Sequence, residues 1–526
     1  MRSTVHLLRV LPVRVLPQSQ LRSTLWNHVG ISRRIRAEFF DTLRAIPIQS
    51  GGPGTIDTLS PSQSKSGKQK TPRLARRLRL LPLIAATYFM VSGGPYGLED
   101  IVGQAGYARA LLLLLIVPIL WSLPTALMIG ELASALPEEG GFYIWVGRAL
   151  GHFWGFQEAW LSLTASIFDM AIYPALAVAY LSQLNPAFTA GHRGFLESLA
   201  IVVLCVAWNL RGAYSVGQGS LWMLALLLTP FVTIVFLGMM NSGFWHVAAH
   251  PFSPAFFSRP RHGSMTTALL FVLWNYMGWD NASTIAREVQ DPQRNYIRAM
   301  LWAVLLVTAS YVLPIAVVAL TGISASTFVT GAWVATARTL ATPRLGAHFV
   351  EWLAVAVVAG GALTGVAVFN ALTLSYARIP AALASDGLLP RILSRRMKNG
   401  VPWVAVIACG AAWALALGLN LTRLLELDIM LYGLSLVLEF IALVVLRLRE
   451  PKLARPFRIP GGFWMAVSIG VAPTLLIFFT IWAARADRLT PHLPAIALGA
   501  ALAVVGMLLY PCTLLAKKFP GHSIKS

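Results

Sequence analysis

Charge is scarce in this chain. Only 12% of its 526 residues are Asp, Glu, Lys or Arg, against 56% hydrophobic. A soluble domain carries about twice that charged share, so a water-soluble globular protein is excluded. Acid is the scarcer sign, with 21 Asp and Glu against 42 Lys and Arg, a formal net charge of +21. The excess does not build a nucleic-acid face. Its members sit mainly in short connections between apolar runs, where Lys and Arg orient a membrane protein. Cysteine is nearly absent: Cys205, Cys409 and Cys512 each lie in an apolar run without metal spacing, which excludes a disulfide framework and a cysteine metal site. The alternating ten-residue segments of a membrane barrel are missing. So are Gly-x-Ser-x-Gly and Gly-x-x-x-x-Gly-Lys, and nothing in the pattern calls for a cofactor.

Long apolar runs are what the chain has in abundance. Twelve are near the length that spans a bilayer: 80–104, 108–133, 152–182, 193–210, 214–240, 264–287, 296–321, 346–378, 401–420, 427–448, 463–484 and 494–515. The expected class is an all-α integral membrane protein with twelve transmembrane helices. If the N-terminus is cytoplasmic, twenty-four Lys and Arg from residue 68 onward fall on that side and nine on the other, which predicts both termini in the cytoplasm. Residues 1–77 stand apart. They are Arg-rich, their first acid is Glu38, and 48–70 are rich in Gly, Ser, Pro and Thr. The expectation there is a basic disordered extension, equally consistent with a transit peptide or an upstream mis-assigned start. Residues 78–450 form the expected core, 451–515 two added helices and 516–526 a cytoplasmic tail.

Two of the apolar runs are interrupted. The first contains Ser92-Gly93-Gly94-Pro95-Tyr96-Gly97 and the sixth Asn275-Tyr276-Met277-Gly278-Trp279-Asp280. Interrupted segments at corresponding places in two halves point to the binding site of an inverted-repeat transporter. In the first break, Gly93 and Gly94 allow unusual dihedrals and Pro95 removes a donor. The amides of Ser92, Gly93 and Gly94, with the positive end of the half-helix beyond, suit a polar or anionic group. In the second break Gly278 permits unwinding. Trp274, Tyr276 and Trp279 offer aromatic faces to an ammonium, and Asp280 offers the countercharge or a helix cap.

A polar seam runs along the third segment. Glu158, Ser162, Ser166, Asp169 and Tyr173 fall on one helical face and should meet a water-filled path or a partner helix. The tenth repeats it with Tyr432, Ser435 and Glu439, while Gly361 and Gly365 in the eighth have the spacing of a close helix contact. Asp169, Asp280 and Glu439 are therefore the outstanding intramembrane carboxylates. Two of them suit a substrate with two amines. Alternatively one binds amine and another carries the coupling proton, for which Asp280, Glu439, Asp169 and Glu158 are the candidates. Glu131 and Glu351 lie at segment ends, where capping or snorkelling suffices.

The sixth-segment sequence Asn275-Tyr276-Met277-Gly278-Trp279-Asp280-Asn281-Ala282-Ser283 resembles the sixth helix of the amino acid–polyamine–organocation (APC) family. The run 92–100 resembles its first helix. Pro137-Glu138-Glu139-Gly140-Gly141, Phe153-Trp154-Gly155-Phe156-Gln157-Glu158 and Glu288-Val289-Gln290-Asp291-Pro292 are similar to further stretches of that family. The branch most resembled holds the plant polyamine uptake and L-type amino acid transporters. The resemblance implies a leucine-transporter-like fold, five helices repeated upside down plus two. It implies proton-coupled uptake, or exchange, of amino acids or polyamines across the cell membrane. Related polyamine carriers use a Trp and an acid six residues apart in helix 6, which fall on Trp274 and Asp280, and a Tyr and a Glu in helix 10, which fall near Tyr432 and Glu439. Amino-acid carriers of the family have Gly-Ser-Gly-Ile in helix 1. Ser-Gly-Gly-Pro here leaves fewer amides for an α-carboxylate, which leans toward amine substrates.

The expected function is thus a permease, a symporter taking an amino acid or polyamine with a proton as coupling ion. Obligate exchange is the alternative, ahead of an integral membrane enzyme or a channel.

Overall fold

The computed structural model describes residues 78–518 apart from 139, 191, 242, 246–256, 258–262, 420, 484–487 and 491–492. The extension expected over 1–77 and the last residues of the tail lie outside the described residues. Helix dominates what is described, relieved by one short antiparallel pairing of β1 (Arg488–Thr490) with β2 (Leu493–Pro494).

Every expected apolar segment carries helix. The first is split into α1 (Leu80–Val91) and α2 (Glu99–Ala105). Next come α3 (Tyr107–Ala135), a short amphipathic α4 (Phe142–Leu150), α5 (His152–Leu181), α6 (Arg193–Asn209) and α7 (Ala213–Met239). Within α3 the turn Pro118–Ser122 is π-helical. Pro118 has no N–H to give the regular ladder, and such a turn is where the slack is taken up.

The sixth segment is also split, into α8 (Met265–Asn275) and a 3₁₀ stretch Trp279–Glu288. Then follow α9 (Pro292–Ala319), α10 (Ala332–Ala341), α11 (Ala347–Tyr376), α12 (Arg378–Ser385), α13 (Trp403–Ala414), α14 (Leu421–Arg449), α15 (Gly462–Ala483) and α16 (Ala495–Lys518). Among the described residues, eight helices are long and apolar enough to cross a bilayer, and α1 and α13 are shorter apolar helices. Two boundaries differ by six residues: α13 ends at Ala414 before the expected 420, and α14 starts six residues before the expected 427. Leu424, Leu425 and Leu427 of this early part are buried, so packing extends the helix beyond its purely apolar run.

α5 lies at the centre, packed on α11 and α14. Glycine makes the approach to α11 possible. A Cβ on Gly361 would stand 2.2 Å from the Tyr180 ring, and one on Gly365 would stand 2.3 Å from the Tyr173 carbonyl oxygen. The Gly361-x-x-x-Gly365 spacing is therefore a helix contact, as small residues are where helices close in. At the other extreme, only 28% of the apolar window of α15 and 11% of that of α16 is buried. These two helices lie on the periphery.

One end of the bundle gathers basic side chains. There Leu78 bridges Val289, Gln290 N–H donates to the Leu78 carbonyl at 2.9 Å, and the end of α3 meets the end of α14. α2, α10 and the start of α8 occupy the opposite end, where Ser264 N–H donates to Gln104 at 2.9 Å and Gly331 N–H to Glu99 at 3.1 Å.

Candidate functional site

The two helix breaks meet in the middle of the bundle. α1 ends because Ser92 is extended, Gly94 has φ +74°, and Pro95 supplies no donor. α8 ends at Asn275, and Gly278 then turns with φ +88°. A Cβ on Gly278 would sit 2.3 Å from the carbonyl oxygen of Met90 on α1. Only glycine permits both that dihedral and that approach.

Beside this contact lies a small cavity of about 10 Å³, room for about one water. Its polar walls are Asp169 and Tyr173 of α5, Trp274, the Gly278 turn, Asn281, Tyr376 of α11, and Asp428 and Tyr432 of α14, with Met90, Val91 and Met277 completing it. None of these is basic. Asp169 receives the Tyr173 hydroxyl at 2.6 Å, the Trp274 indole N–H at 3.2 Å and the Tyr376 hydroxyl at 3.5 Å. The Tyr432 hydroxyl donates to Asp280 at 2.5 Å and accepts the Gly278 N–H at 3.0 Å. Asp280 also stands against the amides of its own residue and Asn281, so it caps the 3₁₀ stretch while staying one hydrogen bond from the cavity.

Trp274 forms the partition. Its indole stacks on Tyr173 with ring centres 5.9 Å apart. On its other side lies a cavity of about 220 Å³, whose walls include Gly97, Asp100, Leu176, Phe271, Thr330 and Leu421. That larger space faces the end of the bundle where α2 and α10 meet.

The structure thus brings together Trp274, Gly278, Asp280, Asp169 and Tyr432 of the expected site residues. Others go elsewhere. Tyr276 is fully buried with its hydroxyl donated to the Leu114 carbonyl at 2.9 Å, against α3. Trp279 is fully buried and does not line the cavity. In the first break, the Ser92 N–H is taken by the Tyr88 carbonyl at 2.7 Å and the Gly94 N–H by the Ser92 hydroxyl at 2.9 Å. The half-helix begins at Glu99 rather than near Tyr96, and the Gly97 N–H is taken by the Glu99 carboxylate at 2.8 Å. Of the three amides expected to be offered, only that of Gly93 has no hydrogen-bond partner among the described residues, while the Gly93 carbonyl accepts from Thr364 at 2.9 Å.

The seam on α5 turns toward α14. Ser162 donates to Glu158 at 3.0 Å and meets Ser435 at 3.3 Å, and Ser166 accepts the Trp413 indole N–H at 3.0 Å. Glu439 is fully buried, faces Asp280 and Glu158, and neither of its carboxylate oxygens has a partner among the described residues. A line of carboxylates thus runs inward from the cavity through Asp280 to Glu439 and Glu158.

Sequence reasoning missed Asp428, Tyr376 and Asn281 as cavity residues. Asp428 lies four residues before Tyr432, on the same helical face. The spacing Asp428, Tyr432, Ser435, Glu439 runs four, three and four, and Asp428 already lies inside the expected run 427–448, at its second position.

Comparison with known proteins identifies the family. The family described as "Amino acid permease" matches residues 84–507. The polyamine transporter PUT1 of Oryza sativa subsp. japonica is 30% identical over 433 residues, 82% of this chain and 78% of the relative. A probable polyamine transporter of Arabidopsis thaliana is 29% identical over 450 residues, covering 85% and 86%. The serine/threonine exchanger SteT of Bacillus subtilis (strain 168) is 27% identical over 348 residues, covering 64% and 75%. The chain belongs to the amino acid permease family, and is a multi-pass membrane transporter of the permease type rather than an enzyme.

Proposed function

We propose that this permease is a proton-coupled symporter of the cell membrane, and that its substrate is a linear polyamine. The observation that carries this is the cavity wall: carboxylate, aromatic and hydroxyl groups with no basic side chain. A cation gains from such a wall through both charge and ring faces. An α-carboxylate finds little there. The amides of the first break are mostly spent within the chain, and anionic oxygens line the rest. Polyamine transport in the Oryza relative points the same way.

In this reading the substrate enters the larger cavity, passes Trp274, and places an ammonium on Asp169, with Asp280 within reach through Tyr432. The coupling proton uses the inner carboxylates. Burying an isolated charge is costly, so the unpartnered oxygens of Glu439 and Glu158 suit a proton that arrives and leaves with each cycle. The core over 78–450 consists of two inverted halves, each opened by a broken helix, in a frame of twelve spans with both termini cytoplasmic. α1–α3 with α8 and α9 rock against α5, α6, α11 and α13 to expose the site alternately.

The test is uptake by purified protein in liposomes under an inward proton gradient, with labelled putrescine, arginine and leucine compared side by side. Putrescine accumulation that collapses with a protonophore is the expected result. Leucine uptake without putrescine uptake would replace this reading with amino-acid transport. Uptake that needs a counter-substrate inside, and ignores the protonophore, would replace symport with exchange.

A further inference from the structure

Asp428 differs from the other carboxylates at the cavity. Asp169 has three side-chain donors and Asp280 has Tyr432. Asp428 is 1% exposed, yet its Oδ2 has no hydrogen-bond partner among the described residues. The charged groups it faces are Asp169 and Asp280, both of its own sign. The hydroxyls of Tyr173 and Tyr376, which share its wall, are given to Asp169. A buried carboxylate oxygen without a donor is costly, and here that oxygen belongs to a wall residue of the site.

We propose that Asp428 is the second amine anchor of the site. It takes the far ammonium of a linear diamine or polyamine whose near ammonium lies on Asp169 beside Trp274. The inference rests on the polyamine reading above and adds the residue that counts amines. The geometry suits it. Asp428 and Tyr432 are one helical turn apart on α14, about 6 Å along the axis, which puts Asp428 and the Tyr432–Asp280 pair at separate points of one wall. Asp169 on α5 and Asp428 on α14 share the cavity lining from different helices, and a linear chain bearing two ammonium groups can meet both of these acids. A monoamine leaves one of them unmet, and a zwitterion sets its carboxylate against it. The ring faces of Trp274 and Tyr173 cover the methylenes between.

The test compares putrescine with butylamine, which has the same carbon chain and one amine fewer. Binding of each to the purified full-length protein is titrated by ligand-induced thermal stabilisation. The wild type should prefer putrescine at least about tenfold, the scale of one charge-assisted hydrogen bond. Asp428→Asn should erase that preference by weakening putrescine about tenfold while leaving butylamine unchanged. Asp428→Glu, which also serves if the Asn variant does not fold, should keep the preference and move the best diamine toward the shorter 1,3-diaminopropane. An Asn variant, or failing that a Glu variant, with the wild-type order of preference and chain length would overturn the anchor. So would equal weakening of both amines, or intact binding with loss only of proton-driven accumulation. If the wild type binds neither amine and is stabilised by leucine, the polyamine reading itself fails and the anchor with it. A wild type that prefers putrescine with a variant that still does overturns the anchor alone.

Discussion

Two sets of buried carboxylates sit in this bundle with opposite surroundings. At its basic end Glu131 of α3 is fully buried and surrounded by cations. It accepts Arg447 of α14 through both oxygens, at 2.8 and 2.5 Å, meets Arg455 at 3.2 Å, and takes the Ile459 N–H at 2.8 Å. In the middle, Asp169, Asp280, Asp428, Glu158 and Glu439 are just as buried. They have hydroxyls, an indole, each other, or nothing. The residue class and burial are the same, yet Glu131 is neutralised by the fold and these five have no ion pair among the described residues. A carboxylate supplied with its cation is doing architectural work, fastening the end of α3 to the end of α14 and the loop beyond. In the function proposed above, carboxylates left without one are open to a cation from outside.

Substitutions can break or sharpen this contrast. The largest effects should come from the middle. Gly278→Val places side-chain atoms where Met90 O already stands and should abolish uptake. Wild-type uptake by that variant would show that the two breaks need not meet. Asp280→Asn keeps the shape of the cap and removes the charge. We expect putrescine uptake in proteoliposomes to fall by about a hundredfold or more, the cost of a lost charge contact and a lost proton site together, with the protein still monodisperse. Normal transport would remove Asp280 from the working set.

Glu131→Gln should act the other way. Removing one member of a buried ion cluster costs about 3–5 kcal/mol, because Arg447 and Arg455 are then buried without a counterion. The readout is a lowered unfolding temperature, with the putrescine-to-leucine preference of the surviving folded protein unchanged. A shifted preference at normal stability would erase the distinction drawn here. The smallest effect belongs to the exposed pair Arg148–Glu450, 2.7 Å apart at the same end. Hydrogen bonding to the Arg148 guanidinium holds the Glu450 carboxyl below its usual range. A carboxyl lowered in the folded state adds stability above its unfolded pKa and loses it as pH falls through the folded value. Glu450→Gln should therefore destabilise by less than about 1 kcal/mol near neutrality, and its thermal unfolding should converge with the wild type in acid.

Much of this was legible before the fold was known. Gly and Pro within apolar runs marked both breaks because few other residues tolerate such dihedrals. Asp169, Asp280 and Glu439 stood out because charge is expensive inside a membrane. The direction of an aromatic ring was not legible. Trp274, Tyr276 and Trp279 lie within six residues, and only packing against α3 and α5 decides that one lines the cavity and two do not. Glu131 read as a residue at a segment end because its partners lie more than 300 positions away. Asp428 lies at the second position of the expected run 427–448, where an acid reads as a helix cap rather than as part of a wall.

The partition made by Trp274 has one more consequence. Its indole N–H already occupies an oxygen of Asp169. In the proposed route a cation arriving from the larger cavity meets that oxygen with the indole and the Tyr173 hydroxyl already on it, so taking it would exchange a bond of the protein's own for one of the guest's. The tryptophan is thus a placeholder as much as a barrier. On the proposed reading it keeps the acid supplied with a donor between visitors and yields to a guest that brings a better one.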